Sequence, residues 1–162
     1  MWFNDWTKKV VDKTKEGLNK AKYFSAAKIS ESSSVSIKSK EDLLKLIEKS
    51  KTTEYQNPET WETKQFQHKT ALIIADGKTD FYKRIVLQIP ILKTKWFAWS
   101  IPVMLSKKEI EWIDYSEYWV KEYPTMLIFQ EEQVLKQISW EENIEKISKS
   151  VKLNMEEILE QF

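Results

Sequence analysis

Hydrophobic positions along this chain recur at two periods, one helical and one alternating, and they divide it into three unequal parts. At the helical rotation of about 100° per residue, Trp2, Phe3, Trp6, Val10, Leu18, Ala21 and Phe24 gather on one arc, with Val11 at its edge. Asp5, Asp12, Glu16 and Asn19 fall opposite, and most of the lysines lie between the two faces. Such lysines lay their stems along the apolar arc and lift their charges to water. The pattern predicts an amphipathic helix over 2–24, whose apolar face is Trp2, Phe3, Trp6, Val10 and Leu18. That face suits docking on the domain or a partner, and it also suits a lipid interface. Ser25 to Ser34 is small and polar and reads as a linker.

From residue 35 to 162 the pattern changes to that of one α/β domain. Val35-Ser36-Ile37 fits a first strand. Ser39 then caps a helix that carries Leu43, Leu44, Leu46 and Ile47, with Asp42 in the capping-box position. Residues 51–69 are polar around an Asn57-Pro58 turn and read as a long loop, with an edge strand near Trp61 to Gln67. The unbroken run Ala71-Leu72-Ile73-Ile74-Ala75 predicts a central strand buried on both faces, ended by Asp76-Gly77. Two readings stay open for 78–92. Phe81, Ile85, Val86, Ile89 and Leu92 fit a helix with Pro90 inside it, and Val86 to Ile89 also fits a strand paired back across Asp76-Gly77. Further on, Ile110 to Asp114 reads as a strand and Ser116 to Lys121 as a helical turn. Tyr123-Pro124-Thr125-Met126-Leu127-Ile128-Phe129 reads as a proline-initiated buried strand. A turn at Gln130 to Gln133 and a half-buried strand at Val134 to Ile138 follow. A final helix begins near Trp140 or Glu141 and breaks near Leu153-Asn154.

Bulk composition removes several functional classes. The 162 residues contain no cysteine, which excludes disulfides, thiolate nucleophiles and cysteine metal sites. Two glycines leave no room for a phosphate-cradling loop. With 26 basic and 25 acidic residues there is no global attraction to nucleic acid. Locally, Lys78, Lys83, Arg84, Lys93 and Lys95 interleave with aromatic residues, a pattern that binds single strands elsewhere. Charge is unevenly spread: residues 1–24 hold six lysines and three acids, and residues 139–162 hold three lysines and six glutamates. No apolar run reaches the ~18 residues of a membrane span, and acids at Asp5, Asp12 and Glu16 interrupt any signal-type segment. The expectation is a cytoplasmic protein, with membrane association resting on the N-terminal helix alone. Eight tryptophans are many for this length, and Trp96-Phe97-Ala98-Trp99 places aromatic groups on both sides of the backbone.

The order of proline, strand, turn, strand and helix after Tyr123 resembles the second half of a thioredoxin-like domain. Ala71 to Ala75 takes the position of that family's central strand, Asp76 its acidic residue and Pro90 its helix-kinking proline. Pro124 takes the place of its cis-proline, and Tyr82-Lys83-Arg84-Ile85 the place of its Cys-x-x-Cys motif. The resemblance spans roughly 35–151. It implies a mixed sheet flanked by helices; the alternative is an α+β domain with an antiparallel sheet. The departures are the missing cysteines, the absence of a tryptophan before the motif position, the polar insertion before the central strand and a shortened third helix.

What the resemblance implies for function follows from those departures. Thiol–disulfide exchange requires a thiolate, so the family's redox chemistry is absent. The surface beside Pro124, which binds extended polypeptide in the family, remains. Tyr82, Lys83, Arg84, Tyr123, Pro124 and Thr125 would line it, and Trp96, Phe97 and Trp99 form a second candidate partner patch. His68 stands alone with no partner for catalysis or metal binding. Glu131-Glu132 and Glu141-Glu142 fit a turn and a helix start, where acids are ordinary. Asp76, at the end of an apolar strand, is a candidate for partial burial with a raised pKa, or simply for opening a turn. The sequence thus predicts a non-catalytic interaction module without cofactor or metal: an adaptor, assembly factor, inhibitor or immunity-type protein. The alternatives are a peripheral membrane protein anchored by residues 2–24 and an enzyme that works without cysteine.

Overall fold

The computed structural model describes residues 35–150 and 152–162. The predicted helix over 2–24, with its face at Trp2, Phe3, Trp6, Val10 and Leu18, and the linker 25–34 lie outside the described residues.

Ser39 caps the first helix, α1 (Lys40–Glu48), by accepting the Asp42 amide. The Asp42 carboxylate reaches back to the Lys38 amide, one residue short of a true capping box. Residues 51–69 are not a plain loop. They form an antiparallel hairpin of β1 (Thr53–Gln56) and β2 (Thr63–Phe66), exposed along both strands. The predicted edge strand near Trp61 to Gln67 is its second arm. Then come β3 (Lys69–Ala75), α2 (Asp80–Phe97) and β4 (Val103–Lys107), followed by a short 3-10 turn at Tyr115–Tyr118. The chain ends with β5 (Thr125–Gln130), β6 (Gln133–Ser139), α3 (Glu141–Lys149) and α4 (Met155–Gln161).

The main sheet has the order β4-β3-β5-β6, with β3 parallel to β4 and the other pairs antiparallel. Val35 to Ile37 adds a parallel strand fragment outside β4, held by two hydrogen bonds of 2.8 Å to and from Leu105. β3 is therefore central, and Ala71 to Ala75 are fully buried, as a strand covered on both faces must be. On one face Ile85, Ile89, Leu92 and Trp96 of α2 join Ile144 and Ile147 of α3 and Ile158 of α4. On the other, Leu43 and Leu46 of α1 join Leu72, Ile74, Tyr115 and Phe129.

The open choice at 78–92 resolves as helix. Thr79 caps it, and Phe81, Ile85, Val86, Ile89 and Leu92 face the sheet at helical spacing. Pro90 lies on the exposed side, where its missing N–H costs least, and its carbonyl accepts the Thr94 hydroxyl at 2.9 Å. The predicted strand at Ile110 to Asp114 is overturned. The Ile113 amide bonds to the Ile110 carbonyl at 3.1 Å, and Trp112 sits at φ 70°, so the segment is a tight turn. The Tyr123–Pro124 bond is cis and β5 starts one residue later. The final helix divides where expected, with Asn154 capping α4.

Candidate site at the C-terminal end of the sheet

Register fixes what meets at this end. Ala75 pairs with Lys107, Ile74 with Thr125, and Thr125 with Ser139. The loops 76–79 and 108–124 and residue 140 therefore leave the sheet at one end, together with the N-terminus of α2. The other end carries residues 98–102, the 131–132 turn and the hairpin.

Asp76 organises the first loop. Its carboxylate accepts the Lys78 amide at 3.0 Å and pairs with the Lys108 ammonium at 3.3 Å, and its carbonyl accepts the Thr79 hydroxyl at 2.7 Å. The Lys78 amide foremost, and Lys108 after it, hold its pKa below the ordinary carboxylate value despite partial burial. The possibility of a raised pKa is overturned, and the turn-opening role stands. A Cβ on Gly77 beside it would press on the flexible Lys107 side chain, with Cδ at 3.0 Å. Lys107 crosses this gap with its ammonium 6.0 Å from the centre of the Tyr82 ring. Ser36, Lys38, Tyr82, Lys107, Glu109 and Ile110 line a cleft of about 350 Å³ at this corner.

Around Pro124 the backbone is tied from several sides. The Thr125 hydroxyl donates to the Glu122 carbonyl at 2.6 Å, and the Trp140 amide donates to the Pro124 carbonyl at 3.3 Å. Asp114 accepts both the amide and the hydroxyl of Ser116, which holds its pKa below the ordinary value. Tyr115 is buried against Ser106, and burial pushes its pKa up to about 12. Tyr123, more than a third exposed, has its pKa raised mainly by desolvation.

The predicted site residues divide. Tyr123 and Pro124 lie at this end with accessible surface, but Thr125 is fully buried. Tyr82 and Ile85 are buried inside α2 instead of standing at its start, because the helix begins at Asp80, two residues before the expected motif position. Lys83 is exposed, and Arg84 is drawn to α3 by Glu145 at 3.0 Å and Glu141 at 3.6 Å. Trp96, Phe97 and Trp99 lie at the opposite end of the sheet. Trp96 is core and cannot touch a partner, Trp99 packs against it at 5.9 Å, and Phe97 is 81% exposed. The basic and aromatic run of 78–97 offers no stacking ladder, since Phe81, Tyr82 and Trp96 all face the core. His68 bonds to the Thr53 hydroxyl at 2.8 Å in the loop before β3.

Three residues that sequence reasoning passed over define the rim of this end. Trp112, Trp119 and Trp140 are 82%, 76% and 62% exposed. All three have positive φ, at 70°, 67° and 81°. Trp119 ends the 3-10 turn in the left-handed conformation, and Trp140 precedes α3. The dense aromatic spacing of 112–123 was the available signal; the backbone conformation was not.

The geometry defines a thioredoxin-like fold: a parallel β3–α2–β4 unit, the strand fragment beyond β4, a cis-proline opening an antiparallel hairpin, and helices on both faces. Cysteine is absent, so the chain has no thiol–disulfide chemistry of its own. No protein-family model matches the sequence, and no curated protein matches it. Solved structures with a similar course include oxidised mitochondrial thioredoxin 3 from Saccharomyces cerevisiae, at 14% identity and a TM-score of 0.48, covering 73% of this chain and 98% of that one. Thioredoxin O1 from Arabidopsis thaliana, also oxidised, has 11% identity and a TM-score of 0.49, covering 70% and 92%. A designed protein overlaps at 12% identity and a TM-score of 0.49, covering 70% and 90%. The fold assignment stands on strand order, crossover and cis-proline rather than on these scores. Among the described residues no helix is long and apolar enough to cross a membrane.

Proposed function

We propose that the chain is a non-catalytic protein-interaction module that engages its partner at the C-terminal end of the sheet, around Pro124. One observation carries this reading. The end of the fold that would hold a redox motif carries instead the exposed faces of Trp112, Trp119 and Trp140. Large exposed aromatic groups gathered at one end of the sheet favour association, and tryptophan is among the residues enriched at interface hot spots. Pro124 and Tyr123 extend the same surface.

The test is affinity purification of the full chain from its native source, beside a variant carrying Trp119→Gly and Trp140→Gly. The expected outcome is a co-purifying protein that the wild type retains and the variant loses. Identical retention by a folded variant would sink the reading.

A further inference from the structure

The tryptophan rim has a chemical character that narrows what it can hold. Between Lys107 and Tyr123 the chain places five acids, Glu109, Glu111, Asp114, Glu117 and Glu122, against Lys107, Lys108 and Lys121, of which Lys108 pairs with Asp76 and Lys107 lies beside the Tyr82 ring. Glu141, which pairs with Arg84, and Glu142 follow Trp140 directly. The whole chain carries a net charge of +1, so this acidity is local. Asp114 is occupied by Ser116, but Glu109, Glu111, Glu117 and Glu122 form no ion pair among the described residues.

We propose that the surface holds a basic polypeptide segment of a partner protein, its lysine or arginine side chains lying on Trp112, Trp119 and Trp140 and paired with the interleaved glutamates. This rests on the interaction-module reading and adds the partner's chemistry to it. An indole face attracts a cation through its ring quadrupole, tryptophan most strongly of the aromatic residues. Carboxylates beside it steer the same cation and repel acidic partners and anionic lipid. The chain already uses this pairing internally, with Lys95 5.9 Å from the centre of the Trp99 ring.

Backbone geometry sets these tryptophans apart from the packed ones. Each of the three tryptophans stands where glycine is the unstrained residue, yet its side chain is mostly in solvent. Trp61, in the turn between β1 and β2, shares both traits at φ 61° and 75% exposure, so the conformation by itself does not single out a binding position. It does supply a clean variant, because glycine at these positions removes the indole and relieves the backbone together.

Titration calorimetry of the full chain with a peptide alternating lysine and alanine tests the proposal, with the glutamate–alanine peptide as control. Binding of the lysine peptide alone is expected, weakened about fivefold or more when ionic strength rises to about 0.5 M. The Trp112→Gly, Trp119→Gly, Trp140→Gly variant should lose it while melting no lower than wild type. Changing Glu109, Glu111, Glu117 and Glu122 to glutamine should weaken it at least fivefold. Absence of lysine-peptide binding, equal binding of the glutamate peptide, or binding that survives the glycine variant would each overturn the proposal. So would binding of the chain to anionic vesicles through these tryptophans, or binding of a peptide of residues 1–24 where the lysine peptide fails. If a native partner is captured through the rim yet is not displaced by the lysine peptide, the module reading survives and the basic-segment proposal does not.

Discussion

At the residue scale, burial separates aromatic side chains that look alike in sequence. Trp96 of α2 is fully buried against the sheet, its indole nitrogen without a partner among the described residues, whereas Trp112 is mostly in solvent. Trp96→Ala should cost about 3–5 kcal/mol of stability by removing a large core side chain, measured by denaturant unfolding. Tyr115 offers a prediction with a pH signature. Its folded pKa of about 12 lies above the ordinary 10 because burial disfavours the phenolate. The stabilisation is therefore complete below pH 10 and is lost as pH rises through 12, by ~1.4 kcal/mol per pH unit across that window. Tyr115→Phe should remove this slope, and an unchanged slope between pH 10 and 12 would exclude Tyr115 as its source. The sequence marked Tyr82 as surface and Trp96 as a candidate contact because side-chain type alone does not tell which side of α2 a residue takes. The continuous helix Asp80–Phe97 turns both side chains to the core.

At the scale of elements, the legible parts were those with a strong period or a chemical stop signal. Ala71 to Ala75, the Ser39 cap, the Asn154 break and the proline-led β5 each carry such a signal, and each appears at its expected place. Only the second arm of the exposed β1–β2 hairpin was legible, because a ribbon with little buried side has no alternating hydrophobic pattern to reveal the pairing. The turn at Ile110 to Ile113 misled for the opposite reason: alternating apolar residues imitate a strand, while Trp112 turns the chain back. The β5–β6 turn shows how such conformations are anchored. Glu131 and Glu132 have φ of 53° and 63°, the pattern of a tight hairpin turn that favours asparagine and glycine. Ser50 holds this turn to the end of α1: its carbonyl accepts the Glu131 amide at 2.8 Å and its hydroxyl accepts the Glu132 amide at 2.9 Å. Glu132→Gly keeps that amide and relieves the backbone, so thermal unfolding should show a gain of about 1 kcal/mol. Ser50→Ala should cost about 1 kcal/mol or more by the same assay, since the buried Ile47 carbonyl also loses its hydroxyl donor.

At the scale of the molecule, one sheet separates two cores, and neither stands without the central strand. Leu72 and Ile74 of β3 serve the α1 side, while Ala71, Ile73 and Ala75 serve the side of α2, α3 and α4. Because alternate residues of one strand belong to both cores, loss of either should unfold the other, and the domain should melt in a single step. Val35 and Ile37 are hydrogen-bonded to Leu105 at the sheet edge, so the described sheet already includes this segment. A fragment of residues 35–162 should therefore fold and unfold cooperatively, with coincident transitions by far-UV circular dichroism and by tryptophan fluorescence. The basic segment 1–24 would then be dispensable for folding and available for a separate role, on a partner or at a lipid interface. Separate transitions in the two signals, or a fragment that fails to fold, would mean that residues 1–34 complete the domain. In the first case the full chain and the fragment should bind the lysine peptide alike. In the second, loss of binding by the fragment would reflect lost structure, and the rim would have to be tested in the full chain alone.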